Sequence, residues 1–223
     1  MEQRTYNQYC ATARTLDLIG ERWTLLLVRE LLTGPKRFRD LLANLPGLGT
    51  GLLAARLKHL EGEGLIRRTT LPPPARTPAY DLTEAGRELG PTVLAMARWG
   101  MKWAMDNRRP AETFRSGWAM LGLQACFSPD AAAGLRAVIE FRIDEETFHA
   151  RVHDGTVDMV HTPAQAPDAT VTIDGATFLS IAEGHTTLAD ALSAGTATTV
   201  GAPWLLRKLP RLFRQPSPVP RNG

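Results

Sequence analysis

The stretch from Gly20 to Leu82 limits the possible folds most strongly, because it contains three apolar repeats of helical spacing separated by glycine and proline pairs. The first two repeats end at Gly34-Pro35 and at Pro46-Gly47, which are typical helix stop signals. Thr50 is positioned to cap the third helix. The apolar positions are Trp23, Leu26, Leu27 and Leu31, then Phe38, Leu41, Leu42 and Leu45, then Leu53, Leu57 and Leu60. The pattern predicts three short helices around one core.

A hairpin is predicted directly after the third helix. Residues 65 to 71 and 79 to 82 have the composition of two short strands, and the proline-rich residues 72 to 78 form the loop between them. Thr83 then begins a long helix that we expect to extend to about Asn107. An apolar seam runs along this helix through Leu89, Val93, Met96, Gly100 and Trp103. A seam of this length at the edge of a domain predicts contact with a partner.

From Phe114 onward the hydrophobic period changes to the two-residue alternation of strands. Strands are predicted at 137 to 143, 147 to 152, 157 to 161 and 169 to 173, with helices before and after them. The expected class is α+β: an N-terminal winged helix-turn-helix domain, mostly α with a two-stranded wing, and a C-terminal α+β domain whose small sheet is covered by helices. The expected bounds are 1–113, 114–214 and, for a disordered tail, 215–223.

Positive charge is concentrated in the first half of the chain. The formal net charge is +3, but residues 1 to 113 hold 17 Lys and Arg against 12 Asp and Glu, whereas the remainder holds 9 against 11. Residues 36 to 76 alone hold eight basic side chains against three acidic ones. The first half is therefore the better binder of a polyanion.

Cysteine usage and hydropathy indicate the compartment. No apolar run approaches the roughly 18 residues that span a bilayer, and the N-terminus does not show the pattern of a secretion signal. The two cysteines, Cys10 and Cys126, are far apart in the sequence, so free thiols are expected rather than a disulfide framework. We expect a cytoplasmic protein with no membrane insertion.

The outward face of the third helix and the hairpin wing together form a candidate site for double-stranded DNA. If the leucines of the third helix face the core, small and basic side chains occupy its other faces. Small residues let a helix approach base edges, and Arg and Lys reach phosphates or guanine acceptors. One basic helix alone is more often a solvated face, but a basic wing beside it favours DNA. The candidate contacts are Arg37, Thr50, Gly51, Ala55, Arg56, Lys58, His59, Arg67, Arg68 and Arg76.

These features resemble the HxlR-type winged-helix regulators over about residues 8 to 107. The matching positions are Tyr9-Cys10, Ala13-Arg14, the run from Leu16 to Trp23, Arg29-Glu30-Leu31, Gly34-Pro35, Arg37-Phe38, Leu57 to Glu61, Gly64-Leu65, Tyr80 to Thr83 and Gly86. The resemblance implies a homodimer, formed through the N-terminal helix and the long last helix of the domain, that binds an inverted repeat. Half-sites about one DNA turn apart, on the order of 34 Å, are expected. We expect a repressor rather than an activator.

Cys10 is a candidate thiol sensor. Some regulators that this chain resembles sense oxidants or electrophiles through a cysteine at this position. A reactive thiol needs an exposed, electropositive setting, and Arg14 lies one helical turn later. The alternative is that Cys10 is a small apolar residue in a dimer interface.

Residues from about 118 to 213 resemble the sterol carrier protein fold, which encloses an apolar tunnel. The matching positions are 152 to 155, 167 to 173, 178 to 181, Gly184, 195 to 201 and 205 to 213. The resemblance implies an apolar ligand or a module that supports dimers, so a hydrophobic small molecule is a candidate effector. The candidate pocket residues are Phe141, Phe148, Met159, Phe178, Ile181, Leu188, Leu192, Trp204 and Leu205, each of which also fits a packed core.

Other chemistry has weaker support in the sequence. His149, His153 and His161 are metal-ligand residue types, but no zinc-site spacing accompanies them. The run from Gly47 to Gly51 does not have a nucleotide-loop spacing, and no nucleophile motif is visible. We therefore expect no cofactor, no metal and no enzymatic activity. A lipid-binding or interaction protein that uses its winged helix for protein contacts is the remaining alternative.

Overall fold

The computed structural model describes residues 5–105, 108–109 and 111–216. The chain divides into two compact units, Met1–Val93 and Leu94–Gly223. The first is mostly helical with a two-stranded sheet, and the second contains a five-stranded sheet with helices. The predicted α+β class is therefore confirmed. Most of the predicted tail lies outside the described residues, because these end at 216.

Five helices, the last of them a single turn, and a hairpin form the first unit. The elements are α1 (Ala11–Ile19), α2 (Thr24–Leu32), α3 (Phe38–Asn44), α4 (Thr50–Gly62), β1 (Ile66–Thr70), β2 (Pro78–Leu82) and the short α5 (Glu84–Arg87). Their core contains Leu27, Val28, Leu41, Leu53, Leu57, Leu60, Ile66 and Leu82, all almost completely buried. The three helices predicted between Gly20 and Leu60 are thus confirmed as α2, α3 and α4.

Local details of α2 and α4 differ from the prediction. Trp23 does not lie within α2 but precedes it with a left-handed backbone (φ 78°), so the helix begins only at Thr24. Leu26, which was expected in the buried stripe, is exposed. Gly49, not Thr50, is the N-cap of α4, and Thr50 is the first residue of the helix. Helix α2 therefore begins later than its apolar spacing predicts, whereas α4 begins one residue earlier.

The hairpin is antiparallel and pairs Arg67 with Asp81 and Arg68 with Tyr80. Lys36 extends it, since the amide of Lys36 donates to the Tyr80 carbonyl (3.0 Å) and the Tyr80 amide donates back (2.8 Å). This bridge connects the wing to the turn between α2 and α3.

The long helix predicted from Thr83 to Asn107 is interrupted. Thr83 does cap a helix, because its Oγ1 accepts from the Gly86 amide (3.2 Å), but that helix is only α5. A second helix, α6 (Gly90–Trp103), begins at the pair Gly90-Pro91. Proline has no amide to continue the ladder and disfavours a helical residue before it, which explains the break. Asn107 lies outside the described residues.

The second unit is a mixed sheet with helices. Its elements are α7 (Ala119–Cys126), β3 (Arg136–Ile143), β4 (Glu146–His153), β5 (Thr156–Val160), β6 (Ala169–Ile173), α8 (Gly175–Ala182), α9 (Leu188–Ala194), β7 (Ala197–Gly201) and α10 (Pro203–Leu212). The strand order is β5-β4-β3-β6-β7, and only β3 and β6 are parallel. Strand β7 and helix α9 were not predicted.

One face of this sheet is apolar and the other is partly polar. Phe141 and Phe148 are paired across β3 and β4 and stack at 5.5 Å in the core. On the opposite face Glu140 and His149 are also paired and buried. The Ala164 amide donates to Glu140 (2.8 Å) and Nδ1 of His149 lies 2.7 Å from the Thr162 carbonyl, so both side chains fix the loop after β5 on this face.

Candidate nucleic-acid interface

The open face of α4 is narrower than the sequence suggested. Leu53, Leu57 and Leu60 are buried, and the helical repeat places Gly51, Ala54 and Lys58 on the opposite side. All three are exposed, and a Cβ built on Gly51 would have no heavy atom within 4 Å. We call this i, i+3, i+7 set the α4 stripe. Two of its residues are small, so another molecule can approach the helix backbone there.

Arg56 anchors α4 within its own unit. One terminal nitrogen, Nη2, donates to Oε2 of Glu21 (2.6 Å), and only 13% of the side chain is exposed. The Nε of Arg56 is buried without a hydrogen-bond partner among the described residues. The prediction placed Arg56 at a groove, but the structure directs it toward the turn between α1 and α2.

His59 has a similar anchoring role. Its Nε2 lies 2.9 Å from the Leu18 carbonyl, and because a carbonyl only accepts, this nitrogen must carry the proton. Nδ1 of the same ring is 4.0 Å from Glu63. Ala55, on the same side of α4, is half-buried. The structure therefore separates Ala55, Arg56 and His59 from the predicted contacts that face solvent.

The wing presents its basic side chains to solvent while two of them are paired with acids. Arg68 Nε donates to Glu61 Oε1 on α4 (3.1 Å), which couples the wing to the helix. Arg67 donates to the buried Asp81 (3.2 Å), which also accepts two bonds of 2.8 Å from Arg87. Arg67 and Arg68 stay mostly exposed, and Arg76 is exposed in the loop at the wing tip.

Arg37 is committed to a helix cap. It precedes α3, and its guanidinium holds Asp40 through bonds of 2.7 and 3.0 Å. The hydrogen bond with Asp40 raises the pKa of Arg37. Burial raises the pKa of Asp40, but the hydrogen bonds from Arg37 outweigh it and leave that pKa below its usual value. The neighbouring Arg39, which was not among the predicted contacts, is more exposed and lies 3.7 Å from the same carboxylate.

Comparisons with known proteins agree with this geometry. The family model described as HxlR-like helix-turn-helix matches residues 18–108. The HTH-type transcriptional regulator sll1512 of Synechocystis sp. is 38% identical over 94 residues, which are 42% of this chain and 70% of that protein. The regulator YvaP of Bacillus subtilis is 36% identical over 90 residues, which are 40% of this chain and 83% of that one.

This chain belongs to the HxlR-like helix-turn-helix family. It is therefore a DNA-binding transcriptional regulator of the HxlR type, as its sequence predicted. Among solved structures, the redox regulator HypR in its reduced form is 34% identical, with a TM-score of 0.37, and the match covers 41% of this chain and 90% of that one.

The second unit of this HxlR-type regulator matches another family. A model described as alkyl sulfatase C-terminal covers residues 127–219. The second, C-terminal domain that the sequence predicts is therefore present, and it contains a sheet and helices as expected.

The predicted pocket residues occupy three different environments. Those buried in the core are Phe141, Phe148 and Leu205; those half-buried are Met159, Phe178, Ile181 and Leu188; those exposed are Leu192 and Trp204. Phe141 also meets Phe213 edge-on at 5.5 Å, and Phe178 stacks on Phe114 at 5.8 Å. The structure thus brings the first three into the sheet core and leaves Leu192 and Trp204 on the surface.

The two thiols of this HxlR-type regulator differ in setting, and both are free as predicted. Cys10 is exposed at the N-cap position of α1, where the nearby backbone amides of Ala13 and Thr12 lower its pKa. The amides therefore supply the effect that was expected from the charge of Arg14. Cys126 is buried, and burial raises its pKa to about 11.

The histidines of the second unit serve other contacts. His161 Nε2 lies 2.6 Å from Glu146, and His149 is occupied by Thr162 and by the Nε of Arg151 (3.2 Å). Within residues 5–105, 108–109 and 111–216, no group of three or more His, Cys, Asp or Glu is arranged to hold a metal ion. No helix in the same part of the chain combines the length and the hydropathy that a membrane crossing requires.

Proposed function

We propose that this HxlR-type regulator represses transcription as a homodimer that places the α4 stripe in the major groove of an inverted repeat. The observation that carries this proposal is the open α4 stripe beside an exposed basic wing, with Arg68 and Glu61 joining the two. Small residues at Gly51 and Ala54 allow base edges to come close, and Lys58 supplies a cation at the same surface. Arg67, Arg68 and Arg76 are placed to contact flanking phosphates.

Exposed apolar side chains support the dimer. Met96, Trp99 and Trp103 lie along α6 at i, i+3 and i+7, and Trp99 is 60% exposed. Tyr6, Tyr9 and Leu16 form a second exposed apolar set at and before α1. Exposed apolar patches of this kind are typical of protein interfaces. Within this proposal residues 1–113 act in DNA binding and dimerisation, and 114–214 act in ligand binding.

The test of DNA binding is a titration of the full chain against a fluorescent duplex taken from the DNA upstream of its own coding sequence. K58Q removes the cation of the α4 stripe and is expected to weaken binding about tenfold or more, as loss of a base or phosphate contact in each subunit predicts. K58R keeps the charge and is expected to retain most of the affinity. R136Q removes an exposed cation at the start of β3 and controls for overall charge.

If K58Q binds the duplex as tightly as the control R136Q and the wild type do, α4 does not lie in the groove. The affinity should also fall steeply with salt, because each phosphate contact releases counterions. Affinity that does not change with salt would instead favour a winged helix used for protein contacts.

We infer that the second unit tunes this binding through an apolar small molecule. Helix α8 is strongly apolar, yet Phe178, Leu179 and Ile181 are only half-buried, and the helix buries just Gly175 completely. An apolar helix that its own unit covers incompletely offers surface to an apolar ligand. Because the matched family model is of a domain in alkyl sulfatases, medium-length alkyl chains are the first ligand class to test.

Decanol is the probe for this part of the proposal. Binding of decanol is expected to change the DNA affinity of the wild-type chain, since an effector must bind the two DNA-affinity states unequally. F178A/I181A is expected to abolish the response, and V200A, which shortens an exposed apolar side chain on β7, is expected to retain it. A response that survives F178A/I181A would exclude α8 as the site.

A second candidate mode of regulation is thiol sensing by Cys10, favoured by its exposed helix N-cap and lowered pKa. The thiolate would add to the β-carbon of an electrophile such as N-ethylmaleimide, forming a C–S bond while the C=C π bond breaks and water protonates the α-carbon. Alkylation is expected to be faster than for an ordinary thiol near neutral pH, and C10S is expected to leave only the slow reaction of the buried Cys126. If alkylated wild type retains full DNA affinity, Cys10 is not a sensor.

A further inference from the structure

Helix α10 carries an isolated concentration of positive charge. Residues 114 to 223 hold nine Lys and Arg against 11 Asp and Glu, so this half of the chain is slightly acidic. Four of the nine cations nevertheless lie between Arg207 and Arg214, and no acidic residue interrupts them. The four are Arg207, Lys208, Arg211 and Arg214.

The packing of α10 directs these cations to solvent. Its buried side is formed by Leu205, Leu209 and Leu212. Trp204, Arg207, Lys208 and Arg211 follow i, i+3, i+4, i+7 spacing on the solvent side, all exposed, and Arg214 is exposed just after the helix. Trp204 is 46% exposed and has the Lys208 ammonium 5.9 Å from its ring. We call these five residues the α10 basic face.

Some other cations of the same unit are paired with acids. Arg142 bonds Glu140 at 2.7 Å and Arg108 lies 3.8 Å from Glu183. Across the described residues, by contrast, none of the four cations of the α10 basic face forms an ion pair. Like charges at i, i+3 and i+4 repel one another and oppose helix formation. The three unpaired cations within this short helix, with Arg214 just after it, therefore cost stability, and a polyanionic partner would offset this cost.

We propose that the α10 basic face binds the phosphate backbone of duplex DNA as a second contact, independent of base sequence. The inference rests on DNA binding by the HxlR-type unit, which already holds the chain at duplex DNA. Arg207 and Arg211 are one turn apart, about 6 Å along the axis, so they reach different phosphates of a duplex that carries one charge per roughly 1.7 Å.

The packing of α10 distinguishes DNA from an anionic membrane. A helix that lies on a membrane inserts its apolar face among the lipids. The apolar face of α10 is already occupied, since Leu205, Leu209 and Leu212 are buried in the protein. What remains exposed is a cationic surface with one indole ring, which suits phosphate and sugar contacts.

The test compares the full-length wild type with R207Q/K208Q/R211Q on two 40-base-pair duplexes, one from the upstream DNA and one of shuffled sequence. Each lost phosphate contact is expected to make the slope of log affinity against log salt shallower by about 0.9. At low salt the triple variant is expected to bind both duplexes at least tenfold more weakly, with an unchanged ratio between them. R207K/R211K keeps the charge and should match the wild type, and R136Q measures the effect of removing one cation outside the α10 basic face.

The outcomes separate this proposal from the proposed function. If the wild type binds and the triple variant shows the same affinity and salt slope, the α10 contact is wrong while the α4 proposal stands. If the wild type binds neither duplex, the proposed function fails first. Binding to vesicles of phosphatidylserine and phosphatidylcholine that the triple variant loses, with unchanged DNA binding, would overturn DNA as the partner. Circular dichroism melting confirms that each variant is folded, which is expected because the altered side chains are exposed.

Discussion

At the scale of single residues, two glycines of the first unit have opposite surroundings: one is crowded and the other is open. Gly86 is buried, and a Cβ on it would meet the Leu65 carbonyl oxygen and a methyl group of Leu82. Gly51 has open space around its Cα and belongs to the α4 stripe. Gly86 is therefore required by packing, whereas Gly51 leaves room for another molecule.

Alanine at each position separates stability from binding. G86A is expected to destabilise the protein by about 1–3 kcal/mol, because backbone at Leu65 must move. G51A is expected to keep or raise the melting temperature, since alanine favours helix more than glycine does, but to weaken DNA binding. Thermal unfolding and the duplex titration measure the two effects. A G51A variant that binds DNA normally would argue against close approach at the α4 stripe.

The ion pair of Arg56 also belongs to this scale. Because its side chain is mostly buried against Glu21, R56A is expected to lower the free energy of unfolding by about 1–2 kcal/mol. E21Q removes the same ion pair by a substitution outside α4, and it should reproduce part of the loss in the free energy of unfolding. A double-mutant cycle that shows no coupling between the two residues would contradict the anchoring role.

At the scale of elements, helix caps determine where several helices begin. Asp174 caps α8 by accepting from the Thr177 amide (2.8 Å), and this backbone hydrogen bond is the first cause of its lowered pKa. A carboxylate with a depressed pKa in the folded state contributes stability above its ordinary value near 3.8, and that contribution is lost as the pH falls through the lower folded value. The start of α8 is therefore acid-sensitive.

Substitution of this cap gives a direct prediction. D174A is expected to lower stability by about 1 kcal/mol at neutral pH, because the Thr177 amide loses its acceptor. D174N keeps an acceptor but cannot titrate. It should therefore lose less stability than D174A at neutral pH, and its stability should fall less than that of the wild type as the pH drops below about 4. Unfolding in urea at several pH values measures both, and equal pH dependence in D174N and wild type would be inconsistent with this cap.

Element type was predictable from the sequence where its pattern was strong. The leucine repeat of α4 identified its buried side, but it could not show which of the other sides meet α1 and the turn after it, so Arg56 and His59 were grouped with Lys58. Strand β7 was not predicted because it lies at the edge of the sheet. Its sequence, Ala-Thr-Thr-Val-Gly, shows little of the apolar alternation that indicates a strand. Helix α6 was predicted as part of a longer helix because the apolar seam continued across the Gly90-Pro91 break.

At the scale of the whole molecule, the proposed dimer explains the exposed aromatic side chains of α6. M96E/W99E places two charges in that surface and is expected to convert a dimer of twice 24.4 kDa into a 24.4 kDa monomer. Affinity for an inverted repeat should fall with it, because each subunit reads one half-site. V200E, in another exposed apolar position, should remain dimeric. Light scattering after gel filtration measures the mass, and an unchanged dimer would exclude this surface.

The most direct measurement of the central claim is DNA cleavage from a reagent attached to α4 outside the α4 stripe, so that the label does not fill the space between the helix and the bases. G62C in a C10S background, labelled with iron-EDTA at the exposed end of α4, would be bound to the upstream duplex and compared with the unlabelled variant. The proposal predicts two clusters of cuts in the major groove, about one turn or roughly 10 base pairs apart, symmetric about the centre of the site. No cleavage above the unlabelled background, or cuts without that symmetry, would show that α4 does not read DNA in a paired arrangement.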